Sequence, residues 1–264
     1  MGTITKALDL LDLFSSTHPE IGLGEFTRLT GRDKATVHRH LTELAENGFL
    51  EQHPLTRAYR LGPALLRLAA VREAAFPMRK LLHPIVAALA EDVGELAHAS
   101  LLQGDALSPV VHADPKLHGV SVHFDESELL PLHATSSGLA VLAFGPDALR
   151  ERVLARPLAH HTGQTVTDPT ALKTLIVEVR KTGVARLEGA FDAEVTSQGV
   201  PLYGEGGVIG ALSVAVPSIR AQPEKLAEIA TRLRAAAQEA SRSLGGPSPS
   251  HSRPLPHAAR AAHP

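Results

Sequence analysis

After Thr5, which reads as an N-cap, apolar residues recur at Ala7, Leu8, Leu10, Leu11, Leu13 and Phe14. Leu10, Leu13 and Phe14 share one helical face, and His18, Pro19 and Gly22 end the run. A short second helix is predicted over 24–29, with Phe26 and Leu29 turned inward. It breaks at Thr30-Gly31, where glycine supplies the left-handed conformation a helix end favours. Asp33 opens a third helix running to Glu46, and Val37, Leu41 and Leu44 at i, i+4 and i+7 form its buried stripe. Asn47-Gly48 stops it. Residues 49–51 and 58–61 then read as two strands around a turn at 54–57. Helix, helix, turn, helix and hairpin in this order make a winged helix-turn-helix.

Gly62-Pro63 begins the next element, with proline suited to a first helical position, and a helix is expected over 64–76 until Pro77 breaks it. Beyond Met78 the pattern changes. An amphipathic helix is predicted at 81–93 and short strands at 96–102, 110–112 and 120–122. Helices follow at 136–144, 147–154 and 168–181. Strands at 195–202 and 208–216 are joined by a Gly204-Glu205-Gly206-Gly207 hairpin turn, and a last helix covers 224–244. Antiparallel strands with flanking helices predict an α+β sensor-like domain. The expected division is therefore 1–62 winged helix-turn-helix, 63–77 linker helix, 78–244 sensor and oligomerisation domain, and 245–264 a disordered tail of Pro, Ser, His and Ala.

Composition narrows the function classes. The chain has 264 residues, enough for two modest domains, and no cysteine, which excludes disulfides, thiolate zinc sites and cysteine nucleophiles. No run approaches the ~18–20 apolar residues of a membrane span, and Met1 to Thr5 lacks the pattern of a signal peptide. The chain is expected in the cytoplasm, away from membranes. Its net charge is −2, and residues 1–62 carry seven basic against eight acidic residues, so a nucleic-acid partner must be argued from local arrangement.

That arrangement centres on the third helix. Lys34, Thr36, His38, Arg39 and His40 lie off its apolar stripe, where a recognition helix presents side chains to base edges. Arg39 is the best of them because arginine can grip guanine through two acceptors. Arg57 and Arg60 on the wing are suited to phosphate, giving affinity without sequence information. The partner expected is double-stranded operator DNA; the alternative is a trihelical scaffold serving ligand binding or protein interaction without sequence-specific DNA binding. A second constellation is Thr135, Ser136, Ser137 and Gly138 at a helix start, where free amides and hydroxyls suit an anion. Capping alone would also explain Thr135 and Ser136.

The segment Ala35-Thr36-Val37-His38-Arg39-His40-Leu41, closing with Glu46-Asn47-Gly48-Phe49-Leu50, resembles the recognition helix of the IclR (isocitrate lyase regulator) family. Ile4 to Leu11, Tyr59-Arg60-Leu61-Gly62, Leu132 to Gly138 and Gly210 to Val214 resemble that family's first helix, wing exit and effector-domain signatures, in the same order over about residues 3–244. The resemblance implies a GAF-like effector domain, a homodimer or homotetramer, and a small-molecule effector such as a small organic acid that modulates operator affinity. It implies effector contacts at Ser136, Ser137, Leu187, Glu188, Val195, Ser197 and Ser213. The chain departs from many relatives in having a single acid at Leu187-Glu188-Gly189, Ser197 for a cysteine, and Leu139 for a lysine.

No metal or other cofactor is expected. His38 and His40 point apart on a helix, His160-His161 read as a loop, and His112, His118 and His123 lack ligand spacing. An enzyme is not expected either. Asp92, Glu95, Asp192 and Glu194 could form acid–base pairs, and Ser197 or Ser213 a nucleophile, but there is no G-x-S-x-G elbow and no phosphate-cradling loop.

Overall fold

The computed structural model describes residues 2–246, and they form two compact units that divide after Met78. The tail expected at 245–264 lies, from residue 247 on, outside the described residues.

The first unit runs α1 (Thr3–Leu11), β1 (Glu20–Ile21), α2 (Leu23–Thr30), α3 (Lys34–Glu46), β2 (Leu50–Gln52), β3 (Tyr59–Leu61) and α4 (Pro63–Ala75). Its strands form a small antiparallel sheet in the order β1-β3-β2. Leu10, Phe14, Ile21, Phe26, Val37, Leu41, Leu44, Leu50 and Tyr59 make one core. Phe14 and Phe26 meet edge to face at 5.6 Å, and Phe26 and Tyr59 at 6.3 Å, an arrangement the aromatic quadrupole favours. Helix α1 starts two residues earlier than Thr5, with Gly2 at its N-cap, and ends before Leu13 and Phe14. Phe14 still reaches the core, from the turn that follows. Leu29 is 46 % exposed rather than inward: it lies one turn beyond Phe26, the buried residue of α2, next to the Thr30-Gly31 helix end. The first-unit sheet gains β1, too short at two residues to carry an alternation that could be read from sequence.

The second unit begins with α5 (Met78–Val93), followed by β4 (Leu96–Gln103), β5 (Ala106–Ala113), β6 (Leu130–Pro131), α6 (Ser136–Phe144), α7 (Asp147–Leu154), α8 (Pro169–Thr182), β7 (Ala185–Glu188), β8 (Val195–Gly204), β9 (Gly207–Pro217) and α9 (Pro223–Ser243). One antiparallel sheet in the order β6-β5-β4-β9-β8-β7 divides the unit into layers. Alternation along the strands sends Ala97, Ala99, Val200, Leu202, Leu212 and Val214 to one face, where α5 and α9 complete a core. Ala185, Leu187 and Ala211 go to the other face, under α6, α7 and α8. The α+β expectation holds. The strand expected at 120–122 is a loop, with no ladder partner among the described residues and with Arg220 Nη1 donating to the Val120 carbonyl at 2.9 Å.

Two contacts fix α6 on this sheet. A Cβ at Gly138 would overlap the backbone of Leu132, and one at Gly199 on β8 would lie 2.6 Å from the carbonyl of Ser136. Helix start and sheet therefore touch backbone to backbone. Gly199→Ala is expected to destabilise the unit by roughly 1–3 kcal/mol through overpacking. Gly206→Ala in the β8–β9 turn, where a Cβ meets nothing within 4 Å, serves as the control and shifts the denaturation midpoint little. Equal midpoints in chemical denaturation would contradict the close approach.

Candidate DNA-binding surface and ligand cavity

Helix α3 is set by its first turn. Gly31 takes a left-handed conformation (φ 62°) that ends α2, and the Asp33 carboxylate accepts the Thr36 amide at 2.9 Å. That bond holds the Asp33 carboxyl below the ordinary carboxylate range. Arg32 fastens the turn to α1, donating to the Lys6 carbonyl at 2.8 Å and to Asp9 at 2.5 Å. The acid on the first helix is thus structural.

Four residues of α3 face the core: Val37, His40, Leu41 and Leu44. Lys34, His38 and Arg39 are exposed, and Thr36 is half-buried. His40 corrects the sequence expectation. It is 1 % exposed, because position 40 falls inside the i, i+3, i+4, i+7 stripe that starts at Val37. Neither of its ring nitrogens has a hydrogen-bond partner, and it presents nothing to a duplex in this conformation.

The wing separates its two arginines. Arg60 is held by Glu51 on the neighbouring strand, with Nε at 2.9 Å and Nη2 at 2.8 Å from Oε2. Its guanidinium is already paired. Arg57 is exposed and sits at the wing turn in a left-handed conformation (φ 60°), a costly one for a residue with a Cβ. Sequence reasoning missed what holds that turn. His53 Nδ1 accepts the amides of Leu55 at 3.2 Å and Thr56 at 3.1 Å, and Gln52 donates to the Arg57 carbonyl at 3.0 Å.

In the second unit a cavity of about 170 Å³ lies between α6 and the sheet. Thr135, Ser136 and Ser137 line it from the helix start, Val195 and Ser197 from β8, and Leu187 from β7. Thr135 caps the helix, its Oγ1 accepting from the Gly138 amide at 3.1 Å and donating to the Pro131 carbonyl at 2.8 Å. The amides of Ser136 and Ser137 have no protein partner, as the first turn of any helix leaves them. Three expected contacts fall elsewhere. Gly138 packs against the Leu132 backbone. Glu188 lies on the outward-facing side of β7, 3.5 Å from Arg186, because strand alternation turns Leu187 in and Glu188 out. Ser213 is completely buried, its hydroxyl unpartnered and not lining the cavity.

The structure adds residues that the sequence did not assign to this site. His98 on β4 lines the cavity, as do Val122, His123, Phe124, Asp125 and Glu128 from the loop between β5 and β6, and Phe191 and Asp192 from the loop after β7. The available signal was His98 and Ser100 two apart in an otherwise apolar strand, which alternation sends to one face. His98 Nδ1 lies 3.1 Å from Ser100 Oγ, and its ring sits 4.6 Å from that of Phe124. Burial, aided by the neighbouring His112, lowers the His98 pKa to about 3, so the ring is neutral at pH 7. Burial and Asp125 raise the Glu128 carboxyl above its ordinary range. No lysine or arginine is among the residues lining the cavity. Among the described residues no three His, Asp or Glu side chains gather as metal ligands, and no helix is long and apolar enough to cross a membrane.

A winged helix with an unpaired cationic face and a separate unit enclosing a ligand-sized cavity define a ligand-responsive DNA-binding regulator. Residues 3–54 match the model of the IclR helix-turn-helix domain and residues 74–242 that of the bacterial transcriptional regulator IclR C-terminal domain. The chain belongs to the IclR family of transcriptional regulators. It is 30 % identical over 251 residues to the glycerol operon regulatory protein of Streptomyces griseus, covering 92 % of this chain and 96 % of that one. An IclR transcriptional regulator from Silicibacter sp. TM1040 is 46 % identical in sequence, with a TM-score of 0.86 over 94 % of this chain and 98 % of that chain. An IclR homologue from Microbacterium hydrocarbonoxydans, complexed with 4-hydroxybenzoate, is 28 % identical with a TM-score of 0.74, over 92 % of this chain and 99 % of that one. Its relatives are regulators rather than enzymes.

The sign of the His98 effect on stability follows from its lowered pKa. Above about pH 6.5 the ring is neutral folded or unfolded. Below that the unfolded chain takes up a proton that the folded chain refuses until about pH 3, so stability falls as pH falls, by roughly 1.4 kcal/mol per pH unit across that window. His98→Gln removes this component. In urea melts at pH 7, 6, 5 and 4, the variant is expected to lose stability less steeply than wild type, and parallel slopes would contradict a buried neutral ring.

Proposed function

We propose that α3 reads base edges of an operator through Arg39, with Lys34, Thr36 and His38 beside it, while Arg57 neutralises phosphate from the wing. What supports this reading is that the cationic groups of Arg39 and Arg57 are exposed and make no ion pair with any described residue, whereas Arg60 is engaged by Glu51 and His40 is buried. The effector is a small organic acid held in the cavity at the first turn of α6, where two unpartnered amides and the helix dipole attract an anion. Ser136, Ser137, Thr135, Leu187, Val195 and Ser197 contact it. The ligand of the Microbacterium homologue, an aromatic monoacid, supports that class. Effector binding shifts operator affinity by a coupling of about 1–3 kcal/mol.

The protein acts in the cytoplasm as a homodimer or homotetramer on a near-palindromic site, with half-sites about 34 Å or a multiple apart. Support for self-association comes from α4, where Leu66 and Val71 are 76 % and 61 % exposed and Phe76 just beyond is 64 % exposed. Apolar side chains on a linker helix are suited to pairing with the same helix of a second copy.

The experiment is a mobility shift on duplexes the protein selects from a random pool. Arg39→Ala should weaken the selected site by roughly 1–3 kcal/mol, about tenfold to a hundredfold, and relax base preference. Arg57→Ala should weaken every duplex alike and reduce the slope of log K against log salt by about one. Ser136→Asp should keep DNA binding and lose the effector response. An Arg39→Ala protein with unaltered selectivity would overturn the base-reading assignment.

A further inference from the structure

The two polar ends of the cavity stand on one row of the sheet. His98 on β4 pairs in register with Ser213 on β9, and Ser213 pairs with Gly199 on β8. Neighbouring strands lie about 4.8 Å apart, so two intervals put His98 and Gly199 roughly 9–10 Å apart at the backbone. Gly199 is where the sheet touches Ser136. Ser136 and Ser137, whose amides have no partner among the described residues, line the cavity from α6, and His98 lines it from β4.

His98 is 6 % exposed and lines the cavity. Its Nδ1 is engaged with Ser100, while Nε2 makes no hydrogen bond within the protein. A buried imidazole with one nitrogen occupied and the other free is an incomplete hydrogen-bonding group, and a ligand atom would complete it. Much of the rest of the lining is apolar, with Phe124, Leu130, Leu187, Val195 and Ala215 among it. A volume of about 170 Å³ suits one ring, since an apolar cavity of ~150 Å³ admits benzene.

Charge limits the ligand further. Asp125, Glu128 and Asp192 line the cavity and no cation does. Two of these acids already serve their own loops: Asp125 accepts from the Ser127 amide at 2.8 Å and hydroxyl at 2.6 Å, and Asp192 accepts from the Glu194 amide at 3.0 Å. A single negative charge can be met by the helix start. A second would lie among carboxylates with no counter-ion.

We propose that His98 is the specificity-determining residue of this cavity, reading an uncharged hydroxyl on a one-ring monoacid whose carboxylate rests on the first turn of α6. The ring's neutrality at pH 7 agrees with this assignment, because a neutral imidazole can pair with a hydroxyl as donor or acceptor. The proposal rests on the reading of the cavity as the effector site and refines it. Dicarboxylates and unsubstituted monoacids are the molecules it rejects.

The test measures binding of three probe sets to the full-length protein by thermal shift and calorimetry. They are one-ring hydroxy acids (hydroxybenzoates, hydroxyphenylacetates and hydroxycyclohexanecarboxylates), their parents lacking the hydroxyl, and the benzenedicarboxylates. At least one hydroxy acid should bind about tenfold tighter than its parent, the size of one net hydrogen bond. In His98→Leu that preference should fall to within about twofold, with the parent's affinity kept, and His98→Gln, a neutral donor and acceptor, should restore part of it. The proposal fails if no hydroxy acid binds, if a dicarboxylate binds best, if parent and hydroxy acid bind alike in wild type, or if the preference survives His98→Leu. Should His98→Leu not fold, the wild-type ratio and His98→Gln decide. A hydroxy acid whose binding is untouched by Ser136→Asp is held elsewhere, which overturns the effector-cavity reading itself. One lost in Ser136→Asp but indifferent to His98 substitution overturns the role of His98 alone.

Discussion

The second unit depends on how closely the first turn of α6 approaches β8. Gly199 has no side chain, so the carbonyl of Ser136 can rest against the strand, and Gly138 lets the next turn rest on the Leu132 backbone in the same way. Helix starts leave amides without partners, and a burial this complete would ordinarily penalise them. Thr135 satisfies one, that of Gly138. The amides of Ser136 and Ser137 stay unpartnered at the start of α6, and under the proposed reading an anionic effector would offset a cost the fold has already incurred. The geometry that makes the helix pack is therefore the geometry that leaves it receptive.

The loop between β5 and β6 closes the opposite side, and it is fastened at two places. Arg220 makes a bidentate pair with the buried Glu95, 2.7 Å at each contact, and reaches the Val120 carbonyl with Nη1. That pairing raises the Arg220 pKa above its ordinary value. Farther along, Glu126 lies 2.7 Å from His112, and the Phe124 ring meets those of His98 and His112 at 4.6 and 5.3 Å in tilted contacts. Removing Arg220 would leave the buried Glu95 carboxylate without its main counter-ion, whereas Arg220 itself keeps contact with solvent. The cavity shape is thus held by charge pairs outside it, and its interior needs none.

Much of the fold was legible because the apolar spacing is clean. The limits of α6 and α7 follow from Thr135, Gly145 and Pro146, and the hairpin from the glycine-rich turn at 204–207. The residues that failed share a cause: their roles depend on tertiary neighbours. His40 belongs to the helical stripe, yet its polarity suggested an outward face. Val120 and Val122 have strand-forming side chains but no ladder to join. His98 carries no motif, and its function appears only when alternation on β4 and register across β9 bring it into line with Gly199. Glu188 was assigned from family resemblance, whereas the period of two along β7 turns it away from the site its neighbour Leu187 lines.

The two units solve the problem of charge in complementary ways. In the first, basic residues are outnumbered by acids, so affinity for a polyanion cannot come from overall field. It comes from pairing off the cations that serve the fold. Arg32 is bound to α1 and Arg60 to Glu51, while Arg39 and Arg57 keep unpaired guanidinium groups at the helix and the wing. Arg57 is kept in place by its amide donating to the His53 carbonyl at 3.0 Å and its carbonyl accepting from the Gln52 side chain at 3.0 Å, which make a left-handed arginine tenable. In the second unit carboxylates line the cavity and the positive potential comes from backbone alone. Under the proposed reading, a ligand with one negative charge meets that potential at a single point, and its position is then set by which hydrogen-bonding group waits at the far end of the row.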